Sequence, residues 1–137
     1  MTPVLYINCS DFPYVDEIIA HRKRYETRSR NTLRRLAGKR VLIAETGNGQ
    51  PLVRCSAYIG TKPIKITSAE DWEWYRSAHR VPKGSEYDWA PGTDVKWLYE
   101  LIDVRPVEPF YPVTGIRHGR VWAEFDEANG WKILQNA

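Results

Sequence analysis

The sequence contains few of the residues that cross-link a chain or hold a metal. Its 137 residues include two cysteines and three histidines, all far apart. Two isolated cysteines, Cys9 and Cys55, do not make a disulfide framework, so we expect reduced thiols in a cytoplasmic protein. No zinc-ligand spacing occurs either, and the sequence predicts neither a metal nor another cofactor.

Long apolar segments and motif-rich loops are also missing. No stretch approaches the ~20 apolar residues of a membrane span, and the start MTPVLYINCSDF lacks the features of a signal peptide. We therefore expect no membrane partner. The GNG at 47–49 is too short for a phosphate-binding loop, and no serine lies in a Gly-x-Ser-x-Gly context. The length suits a single domain spanning residues 1–137.

Aromatic residues with a polar tip are abundant. Six Trp and eight Tyr stand against three Phe. Such side chains suit the rims of pockets as well as cores. Those in predicted strands are interpreted first as core, because aromatic strand residues usually pack.

Positive charge is concentrated in one window. Residues 21–40 hold nine Lys or Arg and one acid, Glu26, whereas the rest of the chain has a net charge of −5. This asymmetry indicates one positive face and an anionic partner, and the alternative is a solvated surface. The residues assigned to a nucleic-acid-binding face are Arg34, Arg35, Lys39 and Arg40.

The hydrophobic pattern predicts a small mixed fold. We expect strands over PVLYINC, 23–28, RVLIAET, PLVRCSAYI, VKWLYELIDVRPV and RVWAEFDE, with the third and fourth joined as a hairpin through GNGQ. Helices are predicted over SDFPYVDEIIAH, NTLRRLAGK and SAEDWEWYRSAH, the last with a Ser68–Asp71 cap. The segments 80–94 and 108–119 are expected to be irregular. Parallel βαβ periodicity is absent, so the fold class is α+β, with mostly antiparallel strands in a small barrel and helices at its ends.

One acid inside a basic strand is the most informative local feature. If 23–28 is a strand, Lys23 points to one face and Glu26 and Arg28 to the other, and a twist or bulge would let Lys23 and Glu26 converge. A lysine paired with a carboxylate beside arginines is held in a fixed orientation. Such pairing prepares a base or an anion clamp.

The segment K-R-Y-E-T-R at 23–28, which follows a helix, resembles the K-x-x-E-x-R signature of the ASCH family, the activating-signal-cointegrator homology domains. The order of elements along the chain is also similar. The resemblance implies a PUA-like β-barrel with a cleft lined by Lys23, Glu26 and Arg28. It also implies binding of RNA, single-stranded nucleic acid or a nucleotide or nucleoside, and some relatives are nucleases.

One branch of that family hydrolyses the acyl group of N4-acetylcytidine without a metal. Its members carry Thr at the position of Glu26, and the family usually has Gly at the position of His21. The catalytic glutamate of the branch comes after the hairpin, and Glu70, Glu73 and Glu86 are all candidates for it here. Glu86 stands with Lys23 and Glu26 as the set of candidate catalytic residues.

Two further segments carry candidate ligand-binding residues. In GSEYDW, Tyr87, Asp88 and Trp89 could stack on a base and hydrogen-bond to its edge, or simply pack over the barrel. In TGIRHGR, Arg117 could clamp a phosphate and His118 could exchange a proton, or both could be solvated turn residues. Tyr25 and Arg28 of the signature strand complete this set.

Three hypotheses of function follow from these residues. The first is an RNA- or nucleotide-binding domain with a basic, aromatic-lined cleft. The second is a small metal-independent hydrolase acting on a modified nucleoside or on RNA. In it Lys23 acts as base or nucleophile, Glu26 orients it, and Arg28 or Arg117 holds a developing anion. The third, an interaction domain without a small ligand, requires a large exposed apolar patch that the sequence does not favour. The oligomeric state is left open.

Overall fold

The protein is described by a computed structural model, which defines the backbone of residues 2–112, 122–126 and 132–134 and the side chains of residues 2–107. Its strands are β1 (Thr2–Asn8), β2 (Tyr25–Arg28), β3 (Arg40–Thr46), β4 (Leu52–Ile59), β5 (Ile64–Ile66), β6 (Lys96–Pro112), β7 (Trp122–Asp126) and β8 (Lys132–Leu134). Its helices are α1 (Tyr14–Ile19), α2 (Ala69–Trp74) and α3 (Arg76–His79), with a 3₁₀ turn over Arg34–Leu36.

The strands form one mixed sheet. Their order is β2-β6-β4-β3-β1-β7-β8, and β5 also pairs with β6. Among the described pairs, β1 and β3 run parallel and the others antiparallel. The sheet curls into a half-barrel with short helices beside it, which confirms the predicted α+β barrel class.

The long strand β6 produces the curl. Its first part pairs with β2 and β5, and its later part pairs with β4. Its register against β4 shifts twice, and Asp103, which lies opposite the second shift, has a φ of +50°. Such irregularities bend a strand and increase its twist, so one strand can belong to both parts of a curved sheet.

Two apolar clusters hold the sheet and helices together. Alternate residues of β4 are buried, as the sequence pattern predicts. They join β1, β3 and α1 in the larger cluster, which also contains the fully buried Leu33 and Tyr99. A smaller cluster forms under α2 from Ile66, Trp72, Val81 and Leu98. The two clusters flank the segment that carries the signature residues.

Several predicted boundaries are wrong. The expected helix over 31–39 is only a 3₁₀ turn, and the helix over 68–79 is divided at Tyr75. Strand β6 continues through 108–112, which the Pro and Gly content had assigned to an irregular segment, because pairing with β4 outweighs local propensity. Strands β5 and β8 were not predicted. The remainder of that irregular segment, with Arg117 and His118, lies outside the described residues.

Candidate functional site

The end of α1 delivers Lys23 to the interior. The backbone N–H of His21 donates to Ile18 O, and that of Arg22 donates to Glu17 O, both at 3.0 Å. This is the Schellman pattern that ends many helices, and it requires a left-handed residue, here His21 with a φ of +61°. The backbone N–H of Lys23 also donates to Glu17 O, at 3.0 Å. The turn therefore directs the Lys23 side chain into the interior.

Lys23 is buried with its ammonium group fully engaged in protein contacts. Only 2% of the residue is exposed. Its Nζ donates to the carbonyl of His79 at 2.7 Å, lies 3.6 Å from Glu26 Oε1 and stands 5.2 Å from the ring centre of Tyr14. Lys23 precedes β2 rather than belonging to it, and this is why it reaches Glu26 despite the alternation of side chains along a strand.

Glu26 and Arg28 form the other half of this group, which we call the KER cluster (Lys23, Glu26 and Arg28). Arg28 Nη2 donates to Glu26 Oε2 and to the carbonyl of Tyr6, each at 2.9 Å, and so ties β2 to β1. The backbone N–H of Thr27 donates to Glu26 Oε1 at 3.0 Å. The geometry therefore meets the expectation of a buried, paired Glu26, with two cations around one carboxylate.

The cluster favours a lysine that releases its proton easily. Burial lowers the pKa of Lys23 below its ordinary value; the Glu26 carboxylate opposes this shift, and the Arg28 guanidinium adds to it. A buried amine with a lowered pKa is the usual preparation of a lysine base or nucleophile. The same burial would also suit a purely structural lysine bonded to a carbonyl.

Tyr14, Ser85 and Tyr87 surround the cluster. The Tyr14 and Tyr87 rings meet edge to face with centres 6.3 Å apart. Burial raises the pKa of Tyr14 to about 12, and its hydroxyl lies beside that of Ser85. Tyr14 and Ser85 were missed from the sequence because a helix face and a loop bring them together without any motif.

Arg28 retains one unused donor. Its Nε–H is buried and makes no hydrogen bond within the described side chains. A buried N–H without a partner is costly, and such groups in native structures often face a ligand or an ordered water. Beside the two tyrosines, this donor could bind an oxygen or ring nitrogen of a ligand.

The loop between α3 and β6 is organised internally by Asp88. Its carboxylate accepts from Trp72 Nε1 at 2.7 Å and from the backbone N–H groups of Gly84 and Trp89, each at 2.8 Å, and it lies 3.0 Å from Arg76. Burial alone would raise the pKa of Asp88, but these hydrogen bonds outweigh it and lower the pKa to about 2. All of its strong contacts are thus with the protein, as expected for a loop-forming residue.

Other candidate residues lie apart from the KER cluster. Trp89 and Tyr25 pack half-buried in the smaller apolar cluster, Tyr25 edge-on to Tyr75. Glu86 is exposed and shares no described hydrogen bond or ion pair with Lys23 or Glu26. Of the other glutamates, Glu70 is exposed and Glu73 is bonded to Arg76. The catalytic and ligand-binding roles of all these residues stay predictions.

Five cations of segment 21–40 are exposed and form no ion pair within the described part of the chain. We call them the basic face: Arg24, Arg30, Arg34, Arg35 and Lys39. Arg40 is different, since it bonds to Ser56 Oγ at 3.0 Å and to Asp103 Oδ2 at 2.6 Å. The Tyr99 hydroxyl donates to Asn31 Oδ1 at 2.7 Å and fixes this segment against β6 next to β2.

Neither a metal site nor a membrane span is found in the described part of the chain. Across these residues, no group of three or more His, Cys, Asp or Glu side chains could hold a metal ion. No described helix combines the length and apolar character needed to cross a bilayer.

Comparison with known proteins identifies the fold. No family model matches the sequence, and no curated protein does. The crystal structure of ASCH from Zymomonas mobilis matches with a TM-score of 0.63 and 20% identity over 81% of this chain and 71% of that one. A Ser-to-Ala variant of the Z. mobilis protein matches with a TM-score of 0.67 and 18% identity over 92% of this chain and 89% of that one. A Tyr-to-Phe variant gives the same TM-score and identity over 92% and 91%. The chain therefore has the fold of these ASCH structures, a small mixed β-barrel.

Proposed function

We propose that this protein binds RNA, with one nucleotide seated at the KER cluster. The observation that carries the proposal is the buried Lys23–Glu26 pair, with the half-buried Arg28 bonded to the same carboxylate. Stability alone does not favour such a group, because apolar residues of similar volume are often as stabilising. Buried charges with a perturbed pKa are typical of binding and catalytic sites.

The basic face supports a polyanionic ligand. Its five exposed cations have no described carboxylate partner, so they remain available to phosphates. Phosphate contacts position a nucleic acid and supply most of its salt-dependent affinity. Since the Asn31–Tyr99 bond holds the segment beside β2, these cations flank the strand that carries Glu26 and Arg28.

The groups around the cluster support recognition of an unpaired base. Tyr87 is half-buried and supplies an aromatic face or edge, and Arg28 offers its unused Nε–H. Proteins that read single-stranded RNA combine stacking with hydrogen bonds to base edges. Lys23 would not contact the base itself. It would hold the Glu26 carboxylate and the His79 carbonyl in position below the bound nucleotide.

Binding of an eight-nucleotide single-stranded RNA, measured by fluorescence anisotropy at several salt concentrations, tests the proposal. We expect the logarithm of the association constant to fall linearly with the logarithm of salt concentration, with a slope of about −0.7 per phosphate contact. Lys23→Met removes the buried ammonium group at nearly constant shape and should weaken binding at least about tenfold. The matched control is Lys65→Met at an exposed lysine. Equal affinity of both variants and the wild type would contradict a site at Lys23.

We also propose hydrolysis of a modified nucleoside as a second candidate function. The lowered pKa of Lys23 favours it, because an amine that loses its proton more readily than an ordinary lysine is better suited to act as a base. The family resemblance suggests N4-acetylcytidine, although Glu26 stands where that branch carries Thr. Incubation with N4-acylated and other modified nucleosides, followed by mass spectrometry, tests this. Turnover by the wild type that Lys23→Met abolishes would support it; no product from any nucleoside would exclude it for that panel.

A further inference from the structure

A groove beside the KER cluster contains an exposed tryptophan. It has a volume of about 610 Å³, and Phe12, Trp74, Arg80, Val81 and Lys83 are among the residues that line it. Trp74 is 82% exposed, more than any other large apolar residue whose side chain is described. An indole this exposed buries little area against the protein, so its ring face is free to stack on a ligand in the groove.

The charge left unpaired in this groove is positive. Glu73, the acid among the lining residues, is bonded to Arg76, which also lies 3.0 Å from Asp88. Arg80 has only a 3.5 Å contact with Glu17. Lys83 is exposed and forms no ion pair with any described residue. Glu70 and Asp71, one turn earlier in α2, are not among the lining residues.

The groove adjoins the KER cluster on two sides. Phe12 packs on Tyr14 with ring centres 4.9 Å apart, and the Tyr14 ring lies over Lys23 Nζ. On the other side, Arg80 directly follows His79, whose carbonyl accepts the hydrogen bond from Lys23. Contacts through Tyr14 and through the His79 carbonyl thus connect the groove lining to Lys23.

We propose that Trp74 stacks on a second base of the same single-stranded RNA, with Lys83 and Arg80 binding the phosphate between the two nucleotides. This proposal rests on the proposed RNA binding and extends it to a neighbouring nucleotide. An aromatic face beside cations is the arrangement that single-stranded nucleic-acid sites use, and it tolerates any base. The positive charge favours RNA over an apolar peptide segment as occupant.

The experiment compares two ligands, fluorescein-labelled octauridylate and labelled uridine monophosphate, by anisotropy at low salt. Trp74→Ala should weaken octauridylate binding about tenfold, as expected when one base no longer stacks, and should leave monophosphate binding unchanged. Trp74→Phe should restore most of the affinity. Lys83→Met should weaken octauridylate binding a few-fold and flatten its salt dependence. Ile102→Ala, at an exposed apolar residue outside the groove lining, is the matched control.

The outcomes separate the two proposals. If Lys23→Met weakens octauridylate binding but Trp74→Ala does not, the groove proposal is wrong and the RNA-binding proposal stands. If only Trp74→Ala weakens it, the groove binds RNA and the KER cluster is not the primary site. Absence of wild-type binding to octauridylate at low salt would overturn both, and co-purification of a protein through Trp74 in that case would indicate a peptide occupant.

Discussion

Lys23 and Glu26 share one cluster but should differ in what they do for the protein. Glu26 is bonded to Arg28 at 2.9 Å and lies 3.6 Å from Lys23, so it compensates two cations. Lys23, in contrast, pairs only with Glu26 among the described residues, and Arg28 pairs with the same carboxylate. The stability of the cluster therefore depends more on its carboxylate than on its ammonium group.

We expect Glu26→Ala to lower the free energy of unfolding by about 3–5 kcal/mol, because it leaves the buried Lys23 and the half-buried Arg28 without a counter-charge. Lys23→Met should cost less, since Glu26 keeps Arg28 as a partner. Urea denaturation of both variants beside the wild type measures the difference. An equal decrease in the two variants, or none for Glu26→Ala, would contradict these assignments.

His79 makes stability depend on pH. It is fully buried, stacked on Trp72 at 3.9 Å, and accepts a hydrogen bond from the N–H of Val81 at its Nδ1. Burial and, next, the Lys23 charge lower its pKa to about 4 from 6.5. The folded state therefore keeps His79 neutral at pH values where the unfolded chain binds a proton.

Because this folded-state pKa lies below the unfolded one, stability should fall as pH decreases from 6.5 to 4. Linkage gives a decrease of about 2 kcal/mol between pH 7 and pH 5. Urea denaturation at the two pH values should show this dependence in the wild type and in His21→Gln, whose histidine is exposed. His79→Gln should abolish it. A pH dependence that survives in His79→Gln would assign the effect to another group.

At the scale of elements, the end of α1 holds a residue in an unfavourable backbone conformation. The Schellman turn puts His21 in the left-handed region, at the position where the resemblance to ASCH domains implies glycine. A side chain in that region costs about 1–2 kcal/mol. The chain bears this strain at the turn that orients Lys23.

We expect His21→Gly to raise the free energy of unfolding by about 0.5–1 kcal/mol, since the relief of strain exceeds the added freedom of the unfolded chain. The control is His21→Ala, which removes the imidazole but keeps a Cβ. Thermal melts of the three proteins provide the measurement. If alanine stabilises as much as glycine, the imidazole and not the backbone conformation is responsible.

At the scale of the whole molecule, positive charge is concentrated in one segment of the chain. The net charge is +3, yet residues 21–40 alone carry +8. Much of this excess is exposed in the basic face, whereas Lys23 and Glu26 are buried and Arg28 is half-buried. The same segment therefore supplies both long-range attraction and the candidate site.

Charge reversal tests this division. Arg34→Glu with Arg35→Glu should weaken RNA binding and reduce its salt slope by about 0.7 for each phosphate that the variant no longer binds, without a change in melting temperature. The matched control reverses Lys62 and Lys65, two exposed cations outside segment 21–40 that form no ion pair with a described residue. If both double variants weaken binding equally, net charge governs affinity and the basic face has no special role.

The sequence predicted those structural features that depend on residues close together in the chain. The alternation in β4 and the Ser68 cap, whose Oγ accepts from Asp71 N at 3.1 Å, were both predicted, and the structure confirms them. Each is set by residues close in sequence. The strand character of 108–112 and the existence of β5 were not predicted, because distant partners decide them.

The sequence by itself determined the barrel class and the polarity of charge, because periodicity and composition carry that information directly. It also placed Lys23, Glu26 and Arg28 within six residues of each other. Only the tertiary structure decided that Lys23 leaves the strand, bonds to His79 and reaches Glu26, because His79 lies 56 residues away and arrives through the packing of α3. Tertiary packing also decided that Tyr14 of α1 lies over Lys23 and that Trp74 of α2 lines the neighbouring groove. These residues come from elements far apart in sequence, so no local pattern could predict that they meet.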